Sequence, residues 1–276
     1  MQDPIAIRRE GHVTRLKWHR ARRTASDPVF TGARILEGMR LGASVDVDLV
    51  VHGEQGFAVL HDEVLGREST GSGPVVGKTA AELRAEYIRD NQGRPTTEPV
   101  RLLEDLAGLM AGGIHPQALL QLDYKEDAAA LDPQTIANFA ASVAPVARHL
   151  ILSSGDARSV ALLANAVPAM RVGYDPCHGD DLARLCADHD FAGFVGRAVA
   201  ASPRAEMIYL EWQVVLSAAD SGYDMVAAFH AEGRRIDAYT IRNAEAENAA
   251  IVERLLPCRV DQITTDDPEG LAARFA

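Results

Sequence analysis

The chain has 276 residues, of which 47% are hydrophobic and 24% charged, and its formal net charge is −11. This length can bury one sizeable core, so we expect a single domain over residues 1–276. The acidic balance argues against nucleic-acid partners and against stable association with anionic membranes, since both recruit basic surfaces.

The few cysteines indicate a reducing compartment. Cys177, Cys186 and Cys258 form no Cys-x-x-Cys pair, and an odd number favours free thiols over a disulfide framework. The N-terminal residues contain no apolar signal segment, and no run of about 18 apolar residues predicts a transmembrane helix. We therefore expect a cytoplasmic protein. The sequence leaves open whether it forms a homo-oligomer.

Short apolar runs alternate with longer helix-like stretches along the chain. Eight of the runs are predicted as strands, at 12–19, 43–50, 118–125, 149–154, 170–175, 207–212, 235–241 and 260–266. Several of the intervening stretches begin with Asp, Asn or Thr, which are preferred helix N-caps. Eight strand–helix units of this size predict an α/β fold of the (β/α)₈ barrel type. A doubly wound open sheet is the alternative.

One segment interrupts the alternation after the second strand. The polar turn 52–56, "HGEQG", is too short for a helical crossover, so 57–61 is predicted to return antiparallel to 46–50. A symmetric hairpin centred between Glu54 and Gln55 would place Asp48 opposite His61. The following residues, from about 62 to 100, read as a small loop-rich insertion over the barrel mouth.

Acidic side chains lie near the ends of the predicted second and third strands. Asp46 and Asp48 share one face because strand side chains alternate with a period of two, and Asp123 lies near the end of the third strand. Three converging carboxylates would repel one another unless a cation neutralises them. All-oxygen ligands favour a hard divalent ion, so the sequence predicts a Mg²⁺ or Ca²⁺ site.

Basic side chains come from the same strand ends. His19 and His61 are predicted to flank a reacting group as acid and base. Arg20 and Lys125 supply the local positive charge that an acidic protein needs in order to bind a phosphate. The remaining histidines, His178 among them, are predicted to be structural or on the surface.

These residues occur in motifs that resemble the glycerophosphodiester phosphodiesterase family, whose members are phosphodiesterase TIM barrels. The matching segments, in chain order, are "HRA" (19–21), "PVFT" (28–31), "DVD" (46–48), "HDEVLGRESTGSGPV" (61–75), "KTAAEL" (78–83), "RLLEDL" (101–106), "DYK" (123–125), "AYTIRN" (238–243) and "VDQITTDDP" (260–268). The resemblance implies a metal held by Asp46, Asp48 and Asp123, with His19 and His61 as catalytic residues.

The sequence departs from that pattern at several positions. Asp46 and Asp123 stand where the family normally has Glu, so a bound ion would sit closer to the strands or be reached through water. Val29 and Phe30 replace Glu-Asn of the Pro-Glu-Asn-Thr motif, and Ala21 replaces Gly.

Two aromatic residues near later strand ends are expected to line the pocket. Tyr239 stands where the family has Trp, and it is expected to form a wall for the leaving alcohol. Trp212 is the second such residue, with a core or rim position as the alternative. Asp266 and Asp267 are predicted to cap the last helix.

The resemblance implies hydrolysis of a glycerophosphodiester, a small-molecule substrate, to an alcohol and glycerol 3-phosphate. Two alternatives remain. One is the same chemistry on another diester, such as a sugar phosphate or a lysophospholipid head group, which the altered "PVFT" motif favours. The other is a catalytically impaired phosphate-binding homologue, against which the presence of both histidines and all three acids argues.

Overall fold

The computed structural model describes residues 4–110 and 113–276, and the chain forms a closed barrel of eight parallel strands surrounded by helices. The barrel strands are His12–Trp18, Ser44–Val51, Leu119–Tyr124, Leu150–Ser153, Arg171–Tyr174, Met207–Glu211, Arg235–Ile241 and Gln262–Thr265. The first strand pairs with both the second and the eighth, which closes the sheet and excludes the open-sheet alternative. The predicted (β/α)₈ fold and its eight strands are therefore confirmed.

Eleven α-helices lie in the described ranges. They are Gly32–Leu41, Ala80–Arg84, Leu103–Met110, Pro133–Val143, Ala157–Ala166, Gly179–Asp188, Phe191–Ala201, Trp212–Asp220, Met225–Ala231, Ala246–Leu255 and Pro268–Arg274. Short 3₁₀ helices cover His19–Ala21, Val75–Gly77, Ala128–Ala130 and Ala144–His149. Five of the α-helices begin at an aspartate whose side chain accepts a hydrogen bond from a first-turn amide, at Asp132, Asp156, Asp190, Asp224 and Asp267. None of the helices in these ranges is long and apolar enough to cross a bilayer.

The main core lies between the barrel and its helices, and strand alternation decides which side chains reach it. In the second strand, a Cβ added to Gly38 of the first helix would lie 2.6 Å from Val45 Cγ2, so Val45 packs on the helix layer. Its neighbours Asp46 and Asp48 therefore point to the opposite face, into the barrel. A smaller apolar cluster of Ile151, Met207 and Tyr209 fills part of the interior.

The predicted hairpin arm follows the second strand, but its register differs from the prediction by one residue. Strand Phe57–Val59 runs antiparallel to Ser44–Val51, with Leu49 opposite Val59 and Val51 opposite Phe57. The connection from 52 to 56 has an odd number of residues, so the hairpin is centred on Glu54 itself. His61 consequently lies beyond the ladder and not opposite Asp48.

The insertion after this arm contains two small antiparallel pairs, the 3₁₀ helix Val75–Gly77 and the short α-helix Ala80–Arg84. Val64–Leu65 pairs with Gly73–Pro74, and Tyr87–Arg89 pairs with Pro95–Pro99. The insertion lies over the C-terminal ends of the parallel strands, where its residue Glu68 accepts the amide hydrogen of His61.

Before the first barrel strand, Ala6–Arg9 adds an antiparallel strand to the sheet.

Candidate active site

A cavity of about 480 Å³ opens at the C-terminal ends of the barrel strands, which is the face where barrel enzymes carry their active sites. Its lining residues are Lys17, His19, Arg20, Arg22, Asp46, His61, Arg67, Gln121, Asp123, Lys125, Asp175, His178, Tyr209, Tyr239, Thr240, Arg242 and Thr264. Both predicted catalytic histidines, both predicted phosphate-binding residues and two of the three predicted metal ligands are in this set.

His19 is held by an acid from the other end of the chain. It follows the first barrel strand in a 3₁₀ turn, and its Nδ1 lies 2.6 Å from Asp266 Oδ1. The Arg22 guanidinium donates to the same carboxylate oxygen at 2.7 Å. Burial opposes ionisation of Asp266, but His19 and Arg22 outweigh burial and lower its pKa. Asp266 therefore orients His19 and caps no helix; Asp267 alone caps the last helix.

His61 is held by its neighbour in sequence. Its Nδ1 lies 2.9 Å from Asp62 Oδ1, and Arg67 pairs with that carboxylate. The hydrogen bond from Arg67 is the main cause that lowers the pKa of Asp62 to about 2. The buried Glu68 fixes the backbone, since its Oε2 accepts the amide hydrogen of His61 at 2.9 Å. Sequence reasoning did not identify this role of Glu68.

Asp46 and Asp48 are both buried, at 4% and 1% exposure, yet their environments differ. Burial raises the pKa of Asp46, and the charge of Asp48 adds to this effect. Burial also opposes ionisation of Asp48, but the positive charges of Lys125 and Arg20 outweigh it and lower the pKa of Asp48. Arg20 contacts both acids, because its backbone amide donates to Asp46 Oδ1 while its Nε lies 3.1 Å from Asp48 Oδ2.

Asp123 lies directly beside Asp48 in the parallel register of the second and third strands. Lys125 bridges the two acids, since its Nζ lies 2.9 Å from Asp48 Oδ1 and also donates to Asp123 Oδ2. Burial of Lys125 works against its charge, but Asp123 and Asp48 outweigh burial and raise its pKa. Lys125 is therefore a permanent cation at the mouth of the barrel.

The donor chemistry at this mouth suits a hard cation. Asp48 Oδ2 is buried and has no aligned hydrogen-bond donor, although Arg20 lies within ion-pair distance of it. Such an oxygen keeps lone pairs free for an ion. Asp46 and Asp123 supply further carboxylate oxygens, which Mg²⁺ and Ca²⁺ prefer. Lys125, which stands between Asp48 and Asp123, would have to move aside for one ion to reach all three.

A second group of potential ligands lies at the hairpin end. Within the described ranges, the group of three whose ligand atoms all lie within 4.8 Å of one another is His61, Asp62 and Glu68; the predicted ligands Asp46, Asp48 and Asp123 are spread more widely than this. Arg67 already pairs with both acids of this group, so its positive charge neutralises the carboxylates that would otherwise attract a metal ion. The geometry therefore favours a role in holding His61.

The two aromatic residues expected at the pocket behave differently. Tyr239 lines the cavity. The sixth strand ends at Glu211, and Trp212 begins the following helix, where it packs against the main core. Trp212 is not among the lining residues of the cavity, so its position agrees with the core alternative.

The altered "PVFT" residues lie beside Arg20 and not at the wall of the cavity. Val29 and Phe30 are buried, and the amide of Phe30 donates to the carbonyl oxygen of Arg20 at 2.9 Å. Neither residue is among those that line the cavity. Phe30 thus supports the loop that presents His19 and Arg20, while Val29 lines a smaller pocket beside the cavity together with Arg20, Arg22 and Arg67.

A third histidine, His178, is exposed as predicted, and it lies at the mouth of the cavity, a position that the sequence did not indicate. His178 Nε2 lies 3.1 Å from Asp175 Oδ2, and this hydrogen bond is the main cause that raises the pKa of His178. His178 lines both the cavity and an adjoining groove of about 780 Å³. Its ring packs closely against Gly155, where an added Cβ would lie 2.5 Å from the imidazole. No sequence motif marks His178, because its position depends on the fifth strand and the loop after it.

Comparison with known proteins agrees with the motifs. The sequence matches the Glycerophosphoryl diester phosphodiesterase family over residues 37–270, which is most of the chain. No curated protein matches the sequence significantly.

Solved structures of low sequence identity share the fold. A provisionally named glycerophosphoryl diester phosphodiesterase from Silicibacter pomeroyi is 20% identical, with a TM-score of 0.74 over 97% of this chain and 94% of that one. A glycerophosphodiester phosphodiesterase from Agrobacterium tumefaciens is 19% identical, with a TM-score of 0.65 over 94% and 99% of the two chains. An Oleispira antarctica phosphodiesterase in complex with the product sn-glycerol-3-phosphate is 17% identical, with a TM-score of 0.64 over 94% and 95%.

Proposed function

We propose that this chain, which belongs to the glycerophosphoryl diester phosphodiesterase family, hydrolyses glycerophosphodiesters to an alcohol and glycerol 3-phosphate by acid–base catalysis with His19 and His61. One of the similar structures holds sn-glycerol-3-phosphate, which supports the same product here. The proposal includes a divalent cation, Mg²⁺ or Ca²⁺, at the acids of the barrel mouth.

The observation that carries the proposal is a pair of histidine–carboxylate contacts on one cavity. His19 Nδ1 lies 2.6 Å from Asp266, and His61 Nδ1 lies 2.9 Å from Asp62. Because each Nδ1 is engaged, Nε2 is the ring nitrogen left for proton transfer to or from a substrate. Two such imidazoles with basic residues beside them suit a reaction in which one oxygen loses a proton and another gains one.

The proton transfers can be assigned to the two rings. His19 accepts the proton of the attacking hydroxyl as that oxygen bonds to phosphorus, and His61 donates a proton to the leaving alcohol oxygen as its bond to phosphorus breaks. The reverse assignment satisfies the same balance. The attacking group is either water or a hydroxyl of the substrate, and the latter gives a cyclic phosphate that water then opens.

Two cationic side chains are proposed to bind the phosphate. Lys125 Nζ and the Arg20 guanidinium both line the cavity, and they are placed to stabilise negative charge that builds on the phosphate oxygens in the transition state. Asp46, Asp48 and Asp123 would hold the divalent cation. When bound, this ion would neutralise phosphate charge and lower the pKa of an attacking hydroxyl.

The alternative diesters were suggested by the altered residues Val29 and Phe30. Neither residue lines the cavity, although Val29 lines a smaller pocket beside it with Arg20, so the substrate panel must decide between these diesters and a glycerophosphodiester. The impaired-homologue alternative predicts that the site has lost one of its reactive groups. The cavity is nevertheless lined by both histidines, both cationic residues, Asp46 and Asp123. The remaining acid, Asp48, is buried and pairs with Lys125 and Arg20.

A substrate panel tests the proposal. The protein is incubated with glycerophosphocholine, glycerophosphoethanolamine, glycerophosphoglycerol, a lysophospholipid and a sugar phosphodiester, each with Mg²⁺, Ca²⁺ or EDTA. We expect release of glycerol 3-phosphate from at least one glycerophosphodiester with one of the ions, and loss of activity in EDTA. Turnover of only the lysophospholipid or only the sugar diester would show that the substrate is not a glycerophosphodiester. Inactivity on all five compounds would support the impaired homologue.

A further inference from the structure

A buried chain of hydrogen bonds ends on the carboxylate of Asp123. Ser153 Oγ donates to Asp123 Oδ1 at 2.7 Å, and the two residues lie side by side in the parallel register of the third and fourth strands. Lys125 engages the other oxygen, Oδ2. The Asp123 carboxylate is thus held at both oxygens, one toward the barrel interior and one toward the mouth.

The chain continues below Ser153. A serine hydroxyl has one hydrogen, and since it goes to Asp123, Ser153 can only accept from other groups. Gln121 meets this requirement, because its Nε2 donates to Ser153 Oγ at 2.8 Å. Its Oε1 is then the free end of the amide, and it accepts a hydrogen bond from Lys17 Nζ.

Lys17 anchors the chain in the barrel interior. It is 2% exposed, and its Nζ lies 3.3 Å from Asp237 Oδ2 and 4.3 Å from the centre of the Tyr209 ring. Asp237 is itself held in place, since Thr264 Oγ1 donates to it at 2.6 Å and Gln262 Nε2 donates to its other oxygen. The lysine therefore has little freedom to leave its position.

The direction of every bond in this chain is fixed by chemistry. A lysine ammonium can only donate and a carboxylate can only accept, so the hydrogens must point from Lys17 through Gln121 and Ser153 to Asp123. Rotating the Gln121 amide would set its NH₂ group against Lys17. Bonds that point the same way polarise one another in a low-dielectric interior.

Stability alone does not explain these polar groups. Ser153, Gln121 and Lys17 are 0%, 4% and 2% exposed, and burying polar groups costs free energy that apolar side chains of similar volume would avoid. All three point, bond by bond, toward one carboxylate at the mouth. The arrangement is what a site needs when a short side chain must hold one orientation.

We propose that Ser153, Gln121 and Lys17 are positioning residues that fix the Asp123 carboxylate for binding a divalent cation. The proposal rests on the proposed function, in which Asp123 is one of three acids that hold the ion. The chain keeps Asp123 Oδ1 anchored while Oδ2 exchanges its contact with Lys125 for one with the ion. Partners of this kind, one step removed from a metal, typically contribute roughly 10- to 100-fold in affinity.

The test measures binding of Mg²⁺ and Ca²⁺ alone by isothermal titration calorimetry, without substrate. Ser153→Ala should raise the Kd of the ion by roughly 10- to 100-fold while the protein stays folded by circular dichroism. Ser159→Ala is the matched control, because Ser159 is also fully buried and its hydroxyl donates to an aspartate, Asp156, at 2.6 Å. Equal Kd values for Ser153→Ala and the control would overturn the proposal.

A double-mutant cycle shows whether Ser153 acts through Asp123. Once Asp123→Ala has removed the carboxylate, adding Ser153→Ala should leave the Kd unchanged, whereas independent effects would multiply and contradict the proposal. If Asp123→Ala alone leaves the Kd unchanged, the metal site of the proposed function is wrong, which is a different result from failure of Ser153. Gln121→Met should also raise the Kd, by less than Ser153→Ala; no change would remove Gln121 and Lys17 from the proposal.

Discussion

His19 Nδ1 and Asp266 Oδ1 lie 2.6 Å apart although 247 positions separate the two residues in sequence. The contact exists because the eighth strand lies beside the first in the closed barrel. It holds the imidazole so that Nε2 is free for the reaction. Asp266 is therefore a positioning residue for the proposed base.

Replacing Asp266 with asparagine should impair catalysis and leave the fold intact. The neutral amide of the Asp266→Asn variant cannot supply the negative charge that stabilises a protonated His19, so kcat should fall by roughly 10²-fold, at the lower end of general acid–base effects. Steady-state kinetics on the glycerophosphodiester that the panel identifies measure this. The control is Asp267→Asn, since the neighbouring Asp267 caps the last helix and asparagine is an equally good cap. Equal kcat values for the two variants would contradict the role.

Asp266 should also make stability depend on pH in the acid range. Its pKa is lowered in the folded protein because His19 and Arg22 outweigh burial, whereas an unfolded aspartate titrates near about 3.9. The stabilisation is thus present above about pH 3.9 and is lost as the pH falls through the lower folded pKa. Urea unfolding at a series of pH values should show a steeper acid loss for the wild type than for Asp266→Asn. If stability fell with pH equally in the two proteins, Asp266 would make no contribution to the acid dependence.

The two histidines should be separable by the leaving group. His19→Ala and His61→Ala should each lower kcat by roughly 10²- to 10⁴-fold on a natural diester. A p-nitrophenyl phosphodiester needs no proton on its leaving oxygen, so the variant that lacks the acid, expected to be His61→Ala, should recover most of its activity on it. His19→Ala should not recover. Recovery by both variants, or full activity of either on the natural diester, would refute the pairing.

Lys125→Met should raise KM and lower kcat together. The ammonium is proposed to meet phosphate oxygens whose charge builds in the transition state, and one such donor is worth roughly 10²- to 10³-fold in kcat. Lys78→Met is the control of the same residue type, since Lys78 lies in the insertion and does not line the cavity. Unchanged kinetics of Lys125→Met would make Lys125 only an ion pair between Asp48 and Asp123.

Ala21 should tolerate glycine better than another buried alanine does. Its φ is +58°, a left-handed conformation that costs a residue with a Cβ about 1–2 kcal/mol. Ala21→Gly and Ala238→Gly both remove a fully buried methyl group and add freedom to the unfolded chain, but only the first relieves this strain. Thermal and urea unfolding should find Ala21→Gly about 1–2 kcal/mol less destabilising. An equal loss in both variants would show that Ala21 is unstrained.

Much of the fold could be read from local patterns. Alternating apolar runs predict the eight strands and, through the period of two, the shared face of Asp46 and Asp48. The topology of parallel barrels then predicts that His19, Arg20 and Lys125 reach one mouth, and all three line the cavity. These predictions succeed because each depends on residues a few positions apart in sequence.

The rest of the site depends on contacts that no local pattern encodes. Local patterns are enough to predict the barrel, its strand ends and the side chains on each strand face. Three sets of contacts arise only in the folded chain: Asp266 with His19, Glu68 with His61, and the line of Lys17, Gln121 and Ser153 beneath Asp123. Those partners come from strands and loops far apart along the chain, and closing the sheet and folding the insertion over its mouth are the steps that bring them within hydrogen-bonding distance.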